Sequence, residues 1–187
     1  MAVKIVRVLN TNAVVSSDQE GRELIITGAG IGFKKKKGEN LDEALADKTY
    51  YLESVDDSRR LQEVVKEISE EYLEIVSRIV KTAREEGLKV RDSLYVTLTD
   101  HINSAVDRYR ENIALKNMMK LEIRKFYPKE YEIGLRAVQW IQEQNDENLG
   151  EDEAAFIAMH IVSAELGSGG PTLYEEGPWL YKRKDLY

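Results

Sequence analysis

The chain has 187 residues, 42% of them hydrophobic and 33% charged, with no cysteine and two histidines. Enough apolar material is present for one medium domain or two small ones. Disulfides, thiolate metal sites and cysteine nucleophiles are excluded, and a reducing compartment, the cytoplasm, is expected. The net charge of −7 is uneven, with +4 on residues 1–38 and −11 on the remainder. A basic head on an acidic body is the layout expected where one module meets a polyanion.

The opening "MAVKIVRVLN" lacks the apolar centre of a signal peptide, and no stretch approaches the roughly 18 apolar residues of a membrane span, so no membrane insertion is expected. The first 55 residues read as short strands. "VKIVRVL" alternates, "AVVSSD" is β-branched, "RELIITG" follows an "EGR" turn and "KTYYLES" supplies a late strand, with Gly21, Gly28, Gly30, Gly32 and Gly38 between them. The prediction is a small antiparallel sheet over residues 1–56. Its core is thin, and a second copy on its apolar face is a natural remedy, so a homodimer is expected.

From Asp57 the period becomes helical. Leu61, Val65, Ile68, Tyr72, Ile75, Ile79 and Ala83 recur every three or four residues, which predicts one long helix capped by Asp57 or Ser58 and ending before Gly87. Further helices are predicted over about 92–110, 115–127, 129–145 and 151–166, with Pro128 and Gly150 as breakers. The fold class is therefore multidomain α and β, with the dimeric sheet followed by an all-α five-helix bundle at 57–166. After it, "GSGG" at 167–170 has the composition of a flexible spacer. The segment 167–187 reads as a linker and appended peptide, with an ordered terminal strap as the alternative.

These elements carry few side chains arranged for chemistry. "TGAGIGFKKKKGE" lacks the GxxxxGK[ST] spacing of a phosphate loop and opens no helix, so its glycines read as places where backbone bends and comes close to something. Phe33 offers a stacking face and the following lysines reach phosphates, the parts used for irregular RNA. Asn10, Thr11 and Asn12 add a turn rich in hydrogen-bonding groups. His101 lies beside the stripe of Leu94, Leu98, Ile102 and Ala105, while His160 shares a face with Phe156 and Ala164. Taken alone, each reads as a satisfied residue at the edge of a core. No third ligand beyond Asp100 supports a metal site, no serine lies in a nucleophile elbow, and no cofactor is implied.

In order and spacing, "KIVRVLNTNAVV", "GRELIITGAGIGFKKKKGE" and "LDEALADKTYYL" in the first module resemble the BglG/SacY family of transcription antiterminators, in particular its LicT-type members. So do "DSLYVTLTDHINSAVDR", "IALKNMMKLEIRKFYPKEYEIGLRAV" and "EDEAAFIAMHIVSAEL" in the second. The resemblance covers residues 2–166. It implies a dimeric co-antiterminator RNA-binding domain that stabilises an antiterminator hairpin in leader mRNA. It also implies a regulatory domain, the PRD, that receives phosphoryl groups from the sugar permease of the phosphotransferase system. The matching positions are His101 and His160 as phosphorylated histidines and Asp100 as a supporting acid. For RNA they are Arg7, Asn10, Thr11, Asn12, Gly28, Gly30, Phe33 and Lys34. Ala29 stands where relatives are often basic, and Thr11 where asparagine is frequent. Full members carry a second PRD that takes phosphate from HPr, so the chain reads as truncated after Leu166. A regulator, not an enzyme, is implied. The alternative is a dimeric phospho-sensing module with weak or lost RNA binding.

Overall fold

The computed structural model describes residues 3–166; the expected linker and appended peptide lie outside them. Four strands, β1 (Ile5–Asn10), β2 (Ala13–Ser17), β3 (Glu23–Thr27) and β4 (Lys48–Tyr50), form an antiparallel sheet in the order β1-β2-β3-β4. Six helices follow: α1 (Val55–Glu67), α2 (Glu70–Glu85), α3 (Ser93–Arg110), α4 (Lys120–Phe126), α5 (Pro128–Asn145) and α6 (Gly150–Leu166). The described residues divide into two compact units, one up to Glu74 and one from Ile75.

In the first unit, Val14 pairs with Ile26 and both point to one face, where Ile5, Ile31 and Leu41 complete a buried cluster. By alternation Val15, Ile25 and Glu23 point to the other face. There Gln62 Nε2 of α1 donates to Glu23 Oε2 at 2.7 Å, which places α1 on that side. Residues on both faces of β2 and β3 are thus buried within a single copy of the chain, with α1 over one of these faces.

The predicted long helix is two helices, giving six instead of five. Ile68 is extended (φ −107°, ψ 142°), and the Ser69 hydroxyl accepts from the Glu71 amide at 3.4 Å ahead of two acids in the first turn of α2. A serine followed by acids is a helix start, and here it outweighs an unbroken apolar period. Ser54, not Asp57 or Ser58, caps α1 by accepting from the Asp57 amide. The helix predicted from 115 begins only at Lys120, because Asn117 builds a turn. Its Oδ1 accepts from the Met119 amide at 2.9 Å, and its own amide donates to Asp152 Oδ1 at 3.1 Å.

In the second unit α6 packs against α3, α4 and α5. Ala154, Ala155, Ile157, Ala158, Ile161 and Val162 are all buried, so this helix is apolar almost all round. Gly134 of α5 lets the two backbones close. A Cβ built there lies 2.2 Å from the Ala154 carbonyl oxygen. Gly134→Ala gains about 1 kcal/mol of helix propensity but forces a repulsive contact costing roughly 1–3 kcal/mol or more. The expected outcome is a lower urea midpoint of unfolding; a raised midpoint contradicts this packing.

Candidate phosphoryl and nucleic-acid sites

On α3, Leu94, Leu98, Ile102 and Ala105 are buried, leaving His101 at the edge of that stripe. On α6, His160 occupies the corresponding edge. The two rings, far apart in sequence, meet with centroids 4.6 Å apart and tilted by 49°, and Phe156 lies 6.1 Å from the His101 ring. His101 Nε2 is hydrogen-bonded to Glu153 Oε1, and Glu153 Oε2 is 3.5 Å from the Arg108 guanidinium. The Glu153 side chain is only 10% exposed. An anion so deeply placed is tolerated because an imidazole N–H and an arginine both face it.

Sequence reasoning missed Glu153 and Arg108. A signal existed: Arg108 follows His101 by two helical turns, and Glu153 precedes His160 by two, so each shares a face with its histidine. Asp100 is exposed, and the carboxylate on the His101 ring is Glu153. Beside Glu153, Arg108 and Tyr109 line an open cleft of about 330 Å³ together with Lys116 and Asp152. Among the described residues, no group of three or more His, Asp and Glu side chains is placed to hold a metal.

On the sheet, the β1–β2 turn and the glycine loop are stitched together. Gly28 N donates to Asn12 O at 2.9 Å, Gly32 N to Thr11 O at 2.8 Å and Gly30 N to Asn12 Oδ1 at 2.9 Å. Gly28 has no room for a side chain, since a Cβ would stand 1.7 Å from the Leu45 carbonyl oxygen. Gly30 has φ +73°, which glycine adopts without strain. Asn10 Nδ2 donates to Val65 O at 2.7 Å, satisfying a carbonyl in the last turn of α1, and Asn12 Nδ2 donates to Glu70 Oε1 at 2.8 Å. Each amide keeps a second hydrogen and a second lone pair. Phe33 is 58% exposed, and the Lys34 ammonium lies 5.2 Å from its ring centre. Ala29 and Thr11 are exposed on the same rim. Seven of the eight residues singled out for RNA are therefore brought together. The eighth, Arg7, pairs with Glu23 at the opposite end of β3 from Gly28.

The family described as PRD domain matches residues 62–164, and that described as CAT RNA binding domain matches residues 3–59. The chain belongs to the CAT–PRD antiterminator family. It is 37% identical over 172 residues to "Transcription antiterminator LicT" of Bacillus subtilis (strain 168), covering 91% of this chain and 62% of that protein. It is 38% identical over 170 residues to "Beta-glucoside operon antiterminator" of Dickeya chrysanthemi, covering 90% and 60%. The chain thus spans about three-fifths of the length of these relatives. The structure titled "Crystal structure of GlcT CAT-PRDI" superposes with a TM-score of 0.72 at 27% identity, covering 89% of this chain and 100% of that one. The sheet followed by a helical unit is therefore the CAT–PRD fold.

Within that fold, burial, with the neighbouring His101 adding to it, pushes the His160 imidazole down to about 3. The unfolded ring titrates near 6.5, so as pH falls below that value the unfolded chain takes a proton that the folded one refuses. Stability from the neutral ring is complete above pH 6.5 and is lost on descent toward the folded value, at about 1.4 kcal/mol per pH unit. Urea unfolding from about pH 7 to about pH 5 should therefore cost the wild type about 2 kcal/mol more than His160→Gln. Equal losses in the two proteins contradict a ring held neutral by burial.

Proposed function

We propose that the chain is an RNA-binding transcription antiterminator, acting as a cytoplasmic homodimer, whose activity is set by phosphorylation of its histidines. The observation that carries the reading is that the only two histidines of the chain meet as one pair in the PRD-matching unit. A solitary core histidine needs no histidine partner, whereas a phosphoryl-accepting site gains from a neutral, nucleophilic imidazole. The domain division proposed is RNA binding in 1–56, the PRD in 57–166 and an appended peptide in 167–187. It is a regulator that accepts phosphate, not an enzyme. Among the described residues no helix is long and apolar enough to cross a membrane.

For RNA, the proposal assigns Phe33 to base stacking and Lys34 and Arg7 to phosphates, with Arg7 leaving Glu23 to do so. Asn10, Thr11 and Asn12 contribute hydrogen bonds from a turn already fixed in place, while Gly28 and Gly30 allow close backbone approach. The ligand is an antiterminator hairpin in a leader transcript. For regulation, the sugar permease of the phosphotransferase system donates phosphate to His101 or His160, and HPr acts on a longer form of the protein. Asp100, exposed beside His101, is a fixed charge at the edge of that site. A phosphoryl group adds a dianionic substituent to a ring, which an interface between two acidic helical units does not accommodate, so the dimer rearranges and RNA is released. Because the ring centres are 4.6 Å apart, a second phosphoryl group is opposed by the like charge of the first.

Two measurements test this. Gel-shift titration against leader hairpins should give tight, salt-sensitive and hairpin-selective binding that Phe33→Ala weakens by about tenfold or more, the loss expected for one stacked base. Indifference to hairpin sequence instead favours a sensing module that has lost its RNA site through the exposed Ala29. Mass spectrometry after incubation with the phosphorylated transport chain should place one phosphate on the histidine pair. His101→Asp or His160→Asp should mimic its effect by weakening RNA binding. No phosphate on either ring, with unchanged binding in the aspartate variants, contradicts the switch.

A further inference from the structure

A phosphoryl acceptor histidine offers two nitrogens, and the surroundings of His101 distinguish them. We propose that His101 takes the phosphoryl group on Nδ1, with Glu153 as the positioning residue that holds the ring by Nε2. This inference rests on the reading of His101 as an acceptor and adds which atom reacts and what selects it.

A carboxylate oxygen only accepts hydrogen bonds, so the ring nitrogen that meets Glu153 Oε1 carries the proton. A neutral imidazole has one N–H and one lone pair, and the lone pair is therefore on Nδ1. Among the described residues Nδ1 has no hydrogen-bond partner, and it is not one of the sealed polar atoms; the side chain keeps 16% exposure. Glu153 is itself held in place, since its second oxygen faces Arg108 at 3.5 Å and its side chain is nearly buried. Phosphorylation at Nε2 requires loss of the ring proton and eviction of this carboxylate, which then stands beside a dianion. Reaction at Nδ1 requires neither. His160 has no such carboxylate bond among the described residues, so the selection applies to His101 alone.

The step balances without an added base. The Nδ1 lone pair attacks phosphorus in a phosphocysteine or phosphohistidine of the donor protein. The N–P bond forms as the P–S or P–N bond of the donor breaks, and the electron pair leaves on the donor sulfur or nitrogen. The ring becomes a phosphoimidazolium with its proton still on Nε2, and the positive charge faces the Glu153 carboxylate. The same contact fixes the tautomer and orientation of the ring before the attack, as a carboxylate on the far nitrogen does for other working histidines.

The test uses potassium phosphoramidate, a small donor that needs no partner protein, on protein carrying 15N-labelled histidine. Correlation of 31P with 15N at early times reports which nitrogen is bonded, and His160→Ala identifies the signals of His101. The folded protein should give only the Nδ1 adduct at His101, whereas protein unfolded in urea should give both isomers. An Nε2 adduct in the folded protein overturns the inference while leaving His101 an acceptor. So does a folded ring that fails to react when the unfolded one does. Glu153→Ala should admit the Nε2 isomer, and Glu153→Gln, whose amide oxygen still accepts from Nε2–H, should restore selectivity. An alanine variant as selective as the wild type removes Glu153 from the role. Failure of transfer from the transport chain is a separate result, which bears on the proposed function and not on the choice of nitrogen.

Discussion

The helical unit is organised around an anion that has almost left water. Glu153 is placed by α6 with its side chain only 10% exposed, and two groups of α3 face it, the His101 ring and the Arg108 guanidinium. Remove either and the carboxylate is left undercompensated in a medium that penalises charge heavily. The link therefore fixes the register of α3 against α6. It also makes that register sensitive to any change of charge on the histidines. Because α6 is buried nearly all round and its backbone closes on Gly134, a charge added there is not absorbed by a local side-chain swing. Packed helices respond by shifting between discrete arrangements, which is the property the proposed switch requires.

The sheet unit obeys a different constraint, the supply of backbone hydrogen bonds to an irregular loop. Asn12 performs three tasks, with its carbonyl on Gly28, its Oδ1 on Gly30 and its Nδ2 on Glu70. A loop tied down in this way presents Phe33 and Lys34 on a prepared rim, which reduces the ordering cost of gripping a ligand. The asparagines thereby serve the fold first, and half of their hydrogen-bonding capacity remains for the proposed ligand.

Much of this was legible in the sequence. The strands announce themselves by alternation and β-branching, α5 and α6 by period and by Pro128 and Gly150, and the histidines by lying at the edges of apolar stripes. The break at Ile68–Ser69 was hidden because the apolar period runs straight through it, and only the cap chemistry of Ser69 with Glu70 and Glu71 marks it. Asn117 escaped because the apolar residues from Leu115 suggested a helix already under way, whereas its side chain closes a turn on Met119 and its backbone amide is held by Asp152 of α6. The periodicity of α3 and α6 put each histidine on a face but said nothing of which residues would face one another. That choice is set by the axial offset between the helices, so Glu153 and Arg108 were visible only as spacings without a meaning. Arg7 shows the converse case, since its strand was predicted correctly while its side chain is drawn to Glu23, away from the other candidate RNA residues.

The most direct test of this account is the tautomer of the unmodified His101 ring, read from 15N chemical shifts and one-bond N–H couplings in histidine-labelled protein at mildly alkaline pH. The account predicts a proton on Nε2, shifted downfield by its carboxylate partner, and a bare Nδ1. A proton on Nδ1 with Nε2 bare, or fast averaging between the two forms, contradicts it.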